Sequence, residues 1–124
     1  STVDTPVKVL GTTTENTINQ KFNHTNNRLT YVGALLRDFQ VTATISLTSG
    51  NNKVIGVYVA KNGTVISSSE MYSTTSGSGR TESVTCQTIL ELNENDYVEI
   101  WVENSSNSDN VTVEYLNVIC KSLN

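Results

Sequence analysis

Several residue types are nearly missing from this chain of 124 residues, and each shortage removes a class of protein. Three Ala residues against 47 Ser, Thr and Asn argue against a helical bundle, because these short polar side chains compete with the helix backbone for hydrogen bonds. Two cysteines, Cys86 and Cys120, cannot build a disulfide framework. They read as two reduced core thiols or as a single bridge between strands. Lys and Arg total 8 against 12 Asp and Glu, giving a net charge of −4, and the basic residues form no cluster. A nucleic-acid partner is therefore not expected, since it needs a basic face to displace counterions from phosphate. The longest apolar run, VIGVYVA at 54–60, is far short of the roughly 20 residues that cross a bilayer, so membrane insertion is not expected. With no initiator Met and no signal-like stretch, the chain reads as a processed protein or a piece of a longer one.

What is abundant points to strands. Val and Ile supply 22 residues and Thr another 18, all stiff at the first side-chain torsion and suited to a pleated surface. Residues 39–47, FQVTATISL, alternate without a fault. Phe39, Val41, Ala43, Ile45 and Leu47 form a core side, and Gln40, Thr42, Thr44 and Ser46 form the other. That second side is neutral and hydroxyl-rich where solvent normally selects charge, which suggests the close approach of a partner surface, another copy of the same sheet being one option.

KVIGVYVAKNGTVI follows at 53–66. Asn62-Gly63 between apolar runs predicts a type I′ hairpin that sets Ala60 opposite Val65 and Val59 opposite Ile66. The first arm is apolar on both faces and belongs inside a sheet. STTSGSGR at 73–80 reads as a flexible connection with nothing apolar to bury. Val84, Cys86, Thr88, Leu90 and Leu92 share one side of the next strand, and Asn95 sits at a turn that favours a left-handed residue. In 96–103, Val98, Ile100 and Val102 face inward, with Tyr97, Glu99, Trp101 and Glu103 on the opposite side. A polar loop at 104–110 leads to a last strand at 111–120, while 6–10 and 28–35 read as two shorter strands. Seven or eight strands without a helical pattern indicate an all-β sandwich, jelly roll or barrel in a single domain spanning 1–124.

Catalytic and metal patterns are weak. His24, the one histidine, lies in NHTNN and reads as a solvated loop residue. Glu99 and Glu103 raise the question of paired carboxylates, but four residues of strand set them about 13 Å apart, beyond either glycosidase separation. They read as a charged outer face that keeps a sheet soluble. One His and two separated Cys offer no zinc set. Glu94, Asp96 or Asp109 with loop carbonyls could hold calcium, but the EF-hand spacing is absent. No cofactor is expected. Trp101, with Tyr97 on its face, is either covered by a loop or neighbouring subunit or offers a platform for a sugar ring.

The succession RLTYVGA, AKNGTVI and NDYVEIWVEN…NVTVEYLNV resembles the trimeric jelly-roll heads of the tumour-necrosis-factor and complement-head superfamily, in the bacteriophage versions found in virion structural proteins. The similarity spans about residues 5–121. Asn95 stands where the complement-type pattern has Gly, and no collagen stalk is present. The resemblance implies a ten-strand-type sandwich packed as a homotrimer. Its axis-facing sheet would come from the strand at 39–47, the one at 84–92 and the last strand, with Thr42, Thr44, Ser46 and Tyr115 at the interface.

The expected role is non-enzymatic: the distal head of a virion fibre that binds a host-surface receptor or glycan. The loops at 73–80 and 104–110, with Asn107, Tyr97 and Trp101, are the candidate contacts. The rival roles are a capsid decoration or head-fibre protein whose partner is the viral shell, and a secreted lectin-like module.

Overall fold

The structure, a computed structural model, describes residues 3–14, 21–25 and 27–123. Ten strands and one turn of 3-10 helix, with no α-helix, make up the regular structure of those residues. The strands are β1 (Val7–Lys8), β2 (Phe22–Thr25), β3 (Arg28–Tyr31), β4 (Arg37–Thr48), β5 (Val54–Lys61), β6 (Thr64–Val65), β7 (Met71–Thr74), β8 (Glu82–Leu92), β9 (Tyr97–Asn104) and β10 (Thr112–Ser122).

All pairings are antiparallel, in two sheets. The larger runs β2-β3-β9-β5-β6, with β1 added to β9 and β7 to β5. The smaller runs β10-β4-β8 and unites the three strands that the resemblance groups together. Their inward side chains meet in one core: Phe39, Val41, Ala43, Ile45 and Leu47 from β4 lie against Ile55, Val57 and Val59 from β5 and Val98, Ile100 and Val102 from β9. Phe22, Tyr31 and Phe39 close one side of it, with ring centroids 5.0 to 5.4 Å apart. Tilted and edge-on aromatic contacts of this kind are favourable beyond their buried area.

The unbroken alternation of 39–47 is a buried-exposed strand in the structure, lengthened to twelve residues by its flanks. The hairpin at Asn62-Gly63 has positive φ at both residues, 52° and 80°, and pairs Ala60 with Val65. The Ile66 amide donates to the Val59 carbonyl at 2.8 Å, so the register is the one the two-residue turn dictates. Asn95 takes the left-handed conformation at φ 72°. β5 lies inside its sheet, with β9 on one edge and β6 and β7 on the other, as its two apolar faces require.

Other expectations need correction. The strand expected at 28–35 stops at Tyr31. The chain then doubles back over the Tyr31 ring, where a side chain on Gly33 would collide with the phenol. The segment 6–10 contributes two residues of strand. Two strands lack periodic runs long enough to announce them: β2, which puts His24 in a sheet instead of a loop, and β7, which takes Ser73 and Thr74 from the presumed connection. Both are short and add to strands already paired elsewhere, so tertiary pairing rather than local pattern forms them.

Cys86 and Cys120 are free and lie on opposite sides of β4, in register with Ala43 and Val41. Two strand spacings, about 9.5 Å, exceed the reach of a disulfide, which removes the bridge. Burial pushes the thiol of Cys86 up to about 11 and that of Cys120 up to about 12.

Candidate functional site

The outer face of the three-stranded sheet is a grid set by register. Tyr115, Ser46 and Ser83 form one row across β10, β4 and β8, followed by Asn117, Thr44 and Thr85, then Ile119, Thr42 and Gln87. A fourth row holds Lys121, Gln40 and Ile89, and beyond it Asp38 faces Glu91. The first three rows carry no ionisable group besides the Tyr115 phenol. Three large apolar side chains stand out from this face: Tyr115 is 75% exposed, Ile89 67% and Ile119 55%. The hydroxyls of Thr44 and Thr85 lie 3.3 Å apart, so part of the polar lining is satisfied within the sheet. The sheet thus brings together Thr42, Thr44, Ser46 and Tyr115 on one accessible surface.

At one end of the sandwich, three connections are tied to one another. Thr75 is fully buried; its hydroxyl donates to the Gly50 carbonyl and accepts from the Lys53 amide at 2.7 Å. Its amide and carbonyl bond to Lys53 and Asn52. The expected flexible connection is therefore anchored at Thr75, a hydroxyl buried only because every polar atom it carries is bonded. Ser49 donates to the Asn110 carbonyl at 2.9 Å and joins the β9–β10 loop to the same cluster.

Within that loop, Asn104 is the organiser. Its Nδ2 donates to Asn107 Oδ1 and to the Asp109 carbonyl, both at 3.1 Å, and its Oδ1 accepts from the amides of Ser106 and Asn107. Asn107 Oδ1 also accepts from the Asp109 amide, so this candidate contact residue helps hold the loop's own shape. Both loops named from the sequence fall at this end.

The outer face of the seven-stranded sheet departs from its expected solvated character. Glu99 is 3% exposed and Glu103 4%. Glu99 receives Arg28 through two nitrogens at 2.8 and 3.0 Å, Lys8 at 2.9 Å and the Trp101 indole N–H at 3.2 Å. Burial pushes its carboxyl up, but the hydrogen bonds of Lys8, Arg28 and Trp101 outweigh that and hold it below the usual carboxylate range. The Arg28 guanidinium also lies 3.8 Å above the Tyr97 ring, a cation–π contact. Tyr97 and Trp101 are therefore half-buried parts of an ion-centred cluster. The indole N–H is spent on Glu99, while the ring remains half-buried. Lys8 comes from β1, opposite Trp101 in register, a partner that no local pattern around Glu99 reveals.

His24 is half-buried on β2, with Nε2 2.8 Å from the Thr13 hydroxyl. Asp96 accepts from the Asn62 side chain and the Asn93 amide and lies 3.6 Å from Lys61. Asp109 lies near Lys53 at the other end of β5, so Asp96 and Asp109 cannot share an ion. No group of three His, Cys, Asp or Glu side chains converges as a metal site among the described residues.

Between β10 and the β1–β3 side, the sheets part to leave a cleft of about 890 Å³. Phe22, Leu29 and Ile100 line one wall, and Val113, Leu116, Val118 and Cys120 line the other. Facing this gap leaves the inward side chains of β10 half-buried where those of β4 are fully enclosed. No protein-family model matches the chain, and no curated protein sequence matches it at significant similarity.

Proposed function

We propose that this chain is a non-enzymatic head domain of a virus particle. It assembles as a homotrimer through the outer face of the β10-β4-β8 sheet and presents its braced loop end to the host surface. The observation that carries this reading is the composition of that face. Its first three rows are neutral and mostly small, and exposed Tyr115 and Ile119 within them and Ile89 in the next row add apolar surface. Identical copies can approach such a surface without burying an unpaired charge, which would cost several kcal/mol per ion. Scattered single apolar residues are ordinary on a protein surface, but three on one sheet face with no charge among the central rows favour association.

The segmental resemblance to trimeric virion heads supplies the rest of the reading. Loops fixed by Thr75 and Asn104 suit a contact region, because their exposed residues vary without disturbing the core. Three copies add avidity to weak single sites. Native mass spectrometry at micromolar concentration tests the assembly. A mass three times 13.5 kDa supports it, and a single-chain mass overturns it. Binding of the trimer to intact host cells, lost on replacing the exposed residues of 76–80 and 105–110, tests the role. Binding that survives both replacements removes the loop end from it.

A further inference from the structure

A second acidic cluster occupies the outer face of the seven-stranded sheet. Glu103 on β9 is 4% exposed, and Glu70, directly before β7, is half-buried. Both carboxyl groups converge on the hydroxyl of Tyr58 on β5, each through one oxygen. Gly56 makes room for them: a Cβ there would stand 3.2 Å from Glu103 Cγ and from a carboxyl oxygen of each acid. Tyr72 on β7 lies opposite Gly56 in register. Asp4, in the N-terminal segment, adds a negative charge nearby, and its amide bonds to the Asn104 carbonyl. Lys8 and Arg28, the cations on this face, are engaged with Glu99, and neither Glu70 nor Glu103 has an ion pair among the described residues.

Counting protons decides the state of this cluster. The Tyr58 hydroxyl carries a single proton and can donate it to only one of the two carboxyl oxygens that meet it. The other oxygen faces the phenol oxygen with no donor between them unless its own acid is protonated. Two carboxylates drawn together on one hydroxyl, one buried and one half-buried and neither with a cation, do not both ionise freely. We propose that Glu70 and Glu103 share one proton and that this proton latches the edge strand β7 onto β5, so that β7 is released as pH rises. β7 pairs with no strand but β5, from Val54 to Val57. It runs directly into Thr75, so its release reaches the braced loop end.

The sign follows from the two environments. Burial pushes both groups up. At Glu103 it prevails, and at Glu70 the hydrogen bonds from Tyr58 and Tyr72 outweigh it and hold the group below the usual range. Above the ordinary carboxylate range the latched state keeps a proton that the released state has lost. Opening therefore rises tenfold per pH unit until the upper pKa of the pair is passed, then levels off. On the acid side, the contribution of Glu70 fades as pH falls through its lowered pKa.

Hydrogen exchange of the full chain from about pH 4.5 to about pH 8.5, corrected for the intrinsic rate, reads this directly. The expected result is an opening constant for 70–75 that climbs tenfold per unit and then levels. Glu103→Gln and Glu70→Gln should each flatten the climb. If one variant loses protection in β4 and is misfolded, the other decides. A wild-type profile for 70–75 that does not climb with pH, or a climb that persists in the folded Gln variant, overturns the proposal.

Discussion

Replacing Thr44 by glutamate separates the fold from its assembly. Thr44 lies in the centre of the outer grid, between Asn117 on β10 and Thr85 on β8, and is exposed in the single chain. There a glutamate loses one weak hydroxyl contact to Thr85 and buries nothing, so stability should move by no more than about 0.5 kcal/mol. In a trimer closed on this face, three carboxylates meet across the axis. With sheet faces packed roughly 10 Å apart and an effective dielectric of about 20, each of the three pairs repels by about 1.7 kcal/mol, together about 5. That repulsion alone weakens assembly by more than about a thousandfold, before the desolvation of each ion is added. Sedimentation equilibrium with a thermal melt on the same sample measures both quantities. The expected outcome is a folded monomer with an almost unchanged melt, while Thr44→Val, which keeps the shape and adds no charge, stays assembled. A Thr44→Glu protein that remains trimeric would refute the assignment of this face.

Three further outcomes are expected. Glu99→Gln should destabilise the chain by about 1–3 kcal/mol, read by denaturant unfolding. It removes the shared anion of Lys8 and Arg28, which can partly rehydrate because their side chains are 28% and 36% exposed. Since Glu99 is held below its ordinary pKa, its contribution is present above the usual carboxylate range and fades as pH falls through the lowered value; an equal loss at acid and neutral pH would contradict this. Asn104→Ala should cost about 2–4 kcal/mol and raise exchange at 105–110, because four hydrogen bonds of a buried amide are lost. Cys86, fully buried with its thiol pushed up to about 11, should resist alkylation at about pH 8 in the folded chain and react at once in denaturant; rapid labelling without denaturant would count against its burial.

The features legible in the sequence are those that a short period or a single turn determines. The alternation of Phe39 to Leu47, the Asn62-Gly63 hairpin and the left-handed Asn95 need no distant partner, and each stands in the structure where the residues place it. The core lists of β8 and β9 follow from the same period of two. The polar chemistry was not legible. Glu99 and Glu103 look like a solvated face because their alternation opposite Val98, Ile100 and Val102 is that of a one-sided strand. What buries them arrives from β1, β3, β5 and the start of β7, brought together only by sheet order. Thr75 was hidden for a related reason. In a run of Ser, Thr and Gly nothing distinguishes the one hydroxyl that closes a cluster from those that face water. The candidate interface residues shared a visible pattern, but their common surface depends on β10 joining β4 and β8.

Because Thr75 and Asn104 secure the loops from inside, the tips beyond them bury no side chain of the core. Ser78 and Gly79 are exposed, and Gly79 already turns the chain at φ 74° with open space where a side chain would stand, its amide donating to the Ser49 carbonyl at 3.3 Å. A foreign peptide spliced between them would be held at both stems by an anchored cluster while leaving the two sheets untouched. The domain thereby offers an insertion point for display, and its tolerance would be set by the keystone hydroxyl behind the tip rather than by the cargo.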